Sequence, residues 1–178
     1  MPASAPSAHP RDSSQPYFTS LITRISASLD SLPYAFASHF APAAMTEALR
    51  VYRERFEPGG PLERPHAMLG VNVIVAETDE EARRIFTTLQ QAFTDLHRGT
   101  RGLQKPPIDD IDTYWTAAEK VAASGMLTHS FVGSRETVRD GLERFVAETK
   151  ADELMVVTTA FDHDARKHSY ELLAGLFR

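Results

Sequence analysis

Two residues that directly follow an apolar run carry side chains able to bind a small ligand. His39 and Phe40 come after PYAFAS, residues 33–38. An imidazole donates or accepts a hydrogen bond near neutral pH, so His39 could hold an oxygen atom of a ligand. The same ring could instead bond a neighbouring carbonyl and serve only to fix the loop. Both interpretations stay open at the level of sequence.

A second candidate is the pair Gly133 and Ser134, which stands between an apolar run and a helical pattern. Amide groups at the N-terminus of a helix can hold an anion, so this turn could bind a phosphate group. Ser134 is also suited to be an ordinary N-cap, and a Gly-Ser pair is a weaker signal than a full phosphate-binding motif. The sequence therefore predicts either a phosphate contact or a helix cap here.

The third candidate is the acidic turn around His163. Asp162 and His163 could take part in acid–base chemistry if a substrate approached them. Alternatively, Asp162 and Asp164 stabilise the N-terminus of the next helix through its dipole. A metal site is not predicted, because the seven histidines lack the HxxxH and HExxH spacings and the chain has no cysteine.

Composition narrows the classes of partner. The chain has 178 residues, 42% of them hydrophobic, and a net charge of −5 with scattered basic residues, which disfavours nucleic-acid binding. No apolar run reaches the roughly 20 residues that span a bilayer. We expect a cytoplasmic protein, because there is no secretory pattern and no cysteine for disulfides.

The candidate residues lie within an alternation of predicted strands and helices. Strands are predicted at 33–38, 68–76, 127–132 and 153–160, and each is followed by a helical pattern. Thr78 with Glu81 predicts a capping box, and a further helix is predicted from Asp112 to Ala123 with Trp115 on its buried side. Residues 1–31 begin with a proline- and serine-rich stretch and are predicted to be disordered or poorly ordered.

Such alternation indicates an α/β fold with a parallel sheet covered by helices. Four βα units in residues 32–178 correspond to half of a (β/α)8 barrel, since a complete TIM-type barrel takes about 250 residues. The sequence therefore predicts a half-barrel domain at 32–178.

Three segments resemble the C-terminal half of luciferase-like monooxygenases, the flavin-dependent oxidoreductases related to bacterial luciferase. They are LPYAFASHFAP with the following helix (residues 32–58), VNVIVAETDEEARR (71–84), and the stretch from FVGSRETV to YELLA (131–174). The order and spacing of all three carry the resemblance, because each alone is weak.

The resemblance implies an enzyme that uses reduced FMN, or a deazaflavin relative, and O2 on a small organic substrate. Its site would lie at the carboxyl ends of the strands. In that setting His39 is the predicted catalytic residue, and Phe40, Gly133 and Ser134 are the predicted cofactor-binding residues.

The chain also departs from that family. Nothing in it corresponds to the first barrel half, and TSLITRISASLDS, residues 19–31, lacks the Gly-Ser strand end expected before Leu32. We therefore expect a truncated chain that is inactive alone and needs a complementary barrel half or a homo-oligomer. The alternatives are a non-catalytic half-barrel that serves binding or assembly, and a gene remnant.

Overall fold

The computed structural model describes residues 31–100 and 102–177. The predicted N-terminal segment, 1–31, lies outside the described residues except for Ser31. The strands are β1 (Tyr34–Phe36), β2 (Ala67–Val75), β3 (Ser130–Gly133) and β4 (Glu153–Val157). The helices are α1 (Met45–Arg55), α2 (Asp79–Arg98), α3 (Ala117–Met126), α4 (Arg135–Thr149) and α5 (His163–Ala174). The predicted α/β class with a parallel sheet is confirmed.

The start of α3 differs from the predicted one. The chain forms a single 3-10 turn at Ile111–Thr113, and the helix begins only after Thr116. Thr116 and Glu119 form a reciprocal capping box, in which each side chain bonds the other residue's amide. Such a box satisfies two amides that would otherwise have no partner, so it sets the first turn of the helix. Trp115 therefore precedes the helix, where its indole nitrogen donates to Asp112.

β2 is the centre of the sheet, because it pairs with each of the other three strands. Gly70 O accepts a bond from the amide of His39 after β1, and Asn72 N donates to the chain just before β3. Ala67 O points the other way and accepts from the amide of Asp152, just before β4. The backbone N–H and C=O groups of the even-numbered residues of β2 thus point toward β1 and β3, which lie end to end along one edge of β2. β4 lies along the other edge.

This pairing corrects the prediction of four successive βα units. Barrel strands pair with their neighbours in the chain, but among the described residues β3 pairs with β2 and not with β4. The strands that lie side by side in chain order are β1, β2 and β4. Residues 77–133, which hold α2, α3 and β3, form an insertion between β2 and α4, the helix that leads to β4.

One face of the sheet is buried under helices. Leu69, Val71, Val73 and Val75 of β2 are each at most 1% exposed. They belong to one core cluster with residues of α1, α4 and α5, among them Leu49, Tyr52, Val138, Leu142, Phe145 and Leu172. An apolar strand with such cover is typical of an α/β protein.

The other face, here called the open face, is formed by Ala35, Met68, Gly70, Asn72 and Met155, which the register places side by side. Ala35 is exposed, and Met155 is 56% exposed. Within the described chain, the His39 ring covers this face at Gly70, and the first turns of α2 cover it at the carboxyl end of β2. A sheet buried on one face and open on the other leaves apolar surface that a further layer could bury.

The loop 102–108 of the insertion is attached to α2 by polar side chains. Thr87, Thr88 and Gln91 are at most 4% exposed. The Thr88 hydroxyl and the Gln91 amide donate to the carbonyls of Lys105 and Pro106, so the proline-containing loop gains bonds that it cannot make to itself. These bonds hold the loop 102–108 along the helix.

Asp95 adds further polar contacts between α2 and the insertion loop. Its carboxylate lies 2.7 Å from Lys105 Nζ and accepts a bond of 2.6 Å from the Tyr114 hydroxyl. Burial alone would raise the pKa of Asp95, but the bonds from Lys105 and Tyr114 outweigh it and leave the pKa below its usual value. The ionised form of Asp95 therefore stabilises the folded loop.

We expect Ser169→Ala to destabilise the fold. The Val75 amide donates 2.9 Å to Ser169 Oγ, and Ser169 is 1% exposed. Removal of the hydroxyl leaves a buried N–H without an acceptor, which costs about 1–3 kcal/mol. Urea unfolding at fixed protein concentration measures this, with the exposed Ser124→Ala as matched control. A loss no larger than that of the control would contradict the role of Ser169.

We expect Asp95→Asn to remove a pH-dependent part of the stability. Because the folded pKa lies below the unfolded value, the contribution of Asp95 is present above about pH 4 and disappears as the pH falls through the folded pKa. The difference in unfolding free energy between wild type and variant should thus be about 1–3 kcal/mol at pH 7 and shrink below pH 4. Asp109→Asn, at a carboxylate with 89% side-chain exposure, is the control; a difference that stays constant with pH would refute this assignment.

Candidate functional site

A cavity of about 400 Å³ lies beside the carboxyl ends of β1 and β4, next to Asn72 of β2. One wall is apolar and comes from α2, with Leu89, Ala92, Phe93 and Leu96. The loop 102–108 closes another side, and the end of β4 contributes Val157 and, just after the strand, Thr159. A mostly apolar cleft with a few polar groups at the carboxyl ends of parallel strands is the usual form of a ligand site in such folds.

His39 and Phe40, both predicted from sequence, line this cavity. The loop that carries them is fixed to β2 by Ser38 Oγ and His39 N, which donate to Gly70 O at 2.6 and 2.8 Å. The His39 ring is not needed for this attachment, and its Nδ1 atom is buried without a hydrogen-bond partner. Phe40 is 57% exposed, so its ring is accessible to a ligand.

Asn72 is a residue of the cavity lining that the sequence reasoning missed. It is 4% exposed, lines the cavity, and stands in an otherwise apolar strand. Its side-chain amide donates to Ser130 Oγ at 3.3 Å and, more weakly, to His39 O at 3.5 Å. The signal was available, because a polar residue inside a buried apolar run requires a partner.

Gly133 and Ser134 do not line the cavity that holds His39. Ser134 is the N-cap of α4, accepting a bond from the Thr137 amide, as one interpretation predicted. The Ser134 amide donates 2.6 Å to a carboxylate oxygen of Asp79, and this bond is the main cause of the lowered pKa of Asp79. A Cβ at Gly133 would lie 2.7 Å from the same oxygen, so glycine permits the contact. Phosphate binding here stays a prediction, and it would require displacement of Asp79.

The acidic turn at Asp162–Asp164 also lies away from the cavity lining. Asp162 caps α5 by accepting 2.8 Å from the Ala165 amide, and Asp164 pairs with Lys167 at 2.8 Å. The observed contacts are those of the helix-stabilising interpretation.

Two further properties concern the described part of the chain. It contains no group of three or more histidine, aspartate and glutamate side chains arranged to hold a metal ion. Nor does it contain a helix with the length and apolar character needed to cross a membrane.

Comparisons with known proteins give consistent results. The chain is 46% identical over 141 residues to a luciferase-like monooxygenase of Escherichia coli K12, a match that covers 79% of this chain and 42% of that protein. It is 43% identical over 147 residues to the uncharacterized protein YvbT of Bacillus subtilis, covering 83% and 44%. The crystal structure of apo-MsnO8 superposes with a TM-score of 0.70 at 31% identity, covering 88% and 48%.

The chain thus spans less than half the length of these relatives. A model of the family matches residues 25–153, which include β1, β2 and the whole insertion. On the strength of that match, the chain belongs to the luciferase-like monooxygenase family.

Proposed function

We propose that this chain supplies the carboxyl-terminal part of a flavin-dependent monooxygenase site, which uses reduced flavin and O2 on a small organic substrate. The observation that carries the proposal is the apolar cavity at the strand ends, into whose lining the chain brings His39 with a ring that has no hydrogen-bond partner among the described residues. Family membership supports the choice of a flavin as cofactor.

The proposal includes a second part of the barrel. β1, β2 and β4 pair as successive parallel strands, and α1, α4 and α5 cover one face of them, as in a segment of a (β/α)8 barrel. The open face would be the barrel interior, and strands from a complementary half would cover it. That half would come from a separate polypeptide or from further residues of the same protein, with a homo-oligomer as the alternative.

The isoalloxazine ring of a flavin suits the lining of the cavity. The ring system is flat and mostly apolar, and the α2 wall with Phe93 and Leu96 offers apolar surface of that kind. Phe40 offers an exposed ring for stacking. The flavin, FMN or a deazaflavin relative, would supply the electron transfer, while this chain would orient it and exclude water.

Around the cavity and at Ser134, the described residues offer few free cations or amides to bind the phosphate group of FMN. Lys105 lines the cavity, but Asp95 already neutralises its ammonium group at 2.7 Å. The Ser134 amide is occupied by Asp79. We therefore propose that the phosphate is bound mainly by the complementary half.

Within this site the residues have distinct roles. His39 would donate a hydrogen bond to an oxygen of the flavin or of the substrate. Asn72 would hold the His39 loop and β3 in place as a positioning residue. The apolar wall of α2 would keep water from the reacting atoms.

We expect the chain alone to self-associate and not to retain FMN, because the open face and one wall of the pocket lack cover. Co-expression with the part of the Escherichia coli relative that this chain does not match should yield a heteromeric complex that retains FMN. Light scattering measures the association state, and visible absorbance after gel filtration measures the bound flavin.

Two outcomes would contradict the proposal. Stoichiometric FMN on a monodisperse monomer would show that no complementary half is needed. A stable complex that binds no flavin would instead favour the non-catalytic assembly function. The control is co-expression with the matched part of the relative, which supplies no complementary strands.

We expect His39→Ala, tested in the complemented protein, to lower flavin affinity or turnover by roughly tenfold, which corresponds to about 1.4 kcal/mol. The reason is the loss of a hydrogen-bond donor in a cavity shielded from water. Fluorescence titration with FMN measures affinity, and the melting temperature is recorded on the same samples.

His97→Ala is the matched control, because His97 is an exposed histidine on α2 that does not line the cavity. A lower melting temperature with unchanged affinity for His39→Ala would assign His39 a structural role only.

A further inference from the structure

The His39 ring occupies the space that a side chain at position 70 would fill. A Cβ atom on Gly70 would lie 2.3 Å from His39 Nδ1 and 2.8 Å from Cε1, far inside contact distance. The next atom, Ala37 Cα, would be at 3.5 Å, an ordinary contact. Steric conflict at Gly70 is therefore confined to the imidazole.

Backbone geometry gives no other reason for this glycine. A backbone with positive φ would favour glycine, but Gly70 is not among the positive-φ residues of the described chain. Glycine inside a strand weakens it, through backbone entropy and the missing side chain. Its presence in the central strand is thus explained by the space that it leaves for His39.

The space that Gly70 leaves for the imidazole, here called the seat, also distinguishes the two ring nitrogens. Nδ1 faces Gly70, is buried, and has no hydrogen-bond partner. If Nδ1 carried the proton, a buried N–H would lack an acceptor, and orphaned buried donors are rarer than under-satisfied acceptors. Nε2 is not buried in this way, and the residue lines the cavity.

We infer that Gly70 holds the His39 ring in the seat with Nε2 protonated and accessible. The site then presents one fixed hydrogen-bond donor and selects a ligand atom with a lone pair, such as a carbonyl oxygen. The seat and the tautomer are properties of the chain itself. The identity of the ligand rests on the proposed function.

The seat is tested by a double-mutant cycle on the full chain. Gly70→Ala should lower the melting temperature by at least about 4 °C, because the added methyl group expels the ring. In the His39→Ala background the same change should cost nothing or raise the melting temperature, since the methyl group fills vacated space and alanine restricts the unfolded chain.

Gly125→Ala is the matched control, because no atom outside its own helix lies within 4 Å of the added Cβ. If Gly70→Ala fails to fold while the double variant folds, the result supports the seat, because removal of the His39 ring then restores folding. An equal loss in both backgrounds would overturn it.

The tautomer is tested by long-range nitrogen–proton NMR correlation on the 15N-labelled chain above neutral pH. The His39 signals are identified by their absence in His39→Ala. Nδ1 should give the signal of an unprotonated nitrogen and Nε2 that of a protonated one, whereas Gly70→Ala should show the average of both tautomers. A protonated Nδ1 in the wild type would overturn the inference.

The ligand contact is tested in the complemented protein by two amide replacements. His39→Gln places a donor near the former Nε2 position, and His39→Asn places one near the former Nδ1 position. We expect Gln to retain most FMN affinity and Asn to lose roughly tenfold, as Ala does. Equal affinities for Gln and Asn would refute the Nε2 donor while flavin binding, and with it the proposed function, would stand.

Discussion

The structure depends on the pairing of β2. Every other strand of the described chain hydrogen-bonds to it, so the sheet has no other continuous support. Its alternation of side chains separates two environments: Val71 and Val73 enter the helix-covered core, and Gly70 and Asn72 face the open side. Since the side-chain period of a strand is two, a shift of one residue would exchange the core and the site. Stability and site geometry therefore share one register.

Much of the architecture could be predicted because its signals are local. The apolar runs at β1, β2 and β4 and the caps at Ser134 and Asp162 are properties of a few consecutive residues. The role of β3 was not accessible in this way, because a short apolar run does not specify its partner. The pairing of β3 with β2 depends on contacts across the insertion. The start of α3 is set by the capping box of Thr116 and Glu119, which the predicted start at Asp112 did not take into account.

The residues that line the cavity were predictable to a similar extent. His39 could be found because residues after a parallel strand gather at the carboxyl edge of the sheet. Gly70 and Asn72 could not be given their roles, since a glycine that leaves space for a ring 31 positions earlier has no local signature. Asn72 did carry a signal, a polar residue in an apolar strand, but its partners Ser130 and His39 are brought near only by the fold.

Two carboxylates of the described chain occupy groups that could otherwise attract an anion, one in the cavity lining and one away from it. Lys105, the cation in the lining, is held by Asp95, and the amide at the start of α4 is held by Asp79. These carboxylates satisfy groups that would otherwise attract an anion, and each has a pKa held below its usual value by the contact. Around the cavity, the described chain thus offers apolar walls and one imidazole, but little free positive potential. A phosphate-bearing cofactor would require that potential from the side of the open face, where a complementary half would lie.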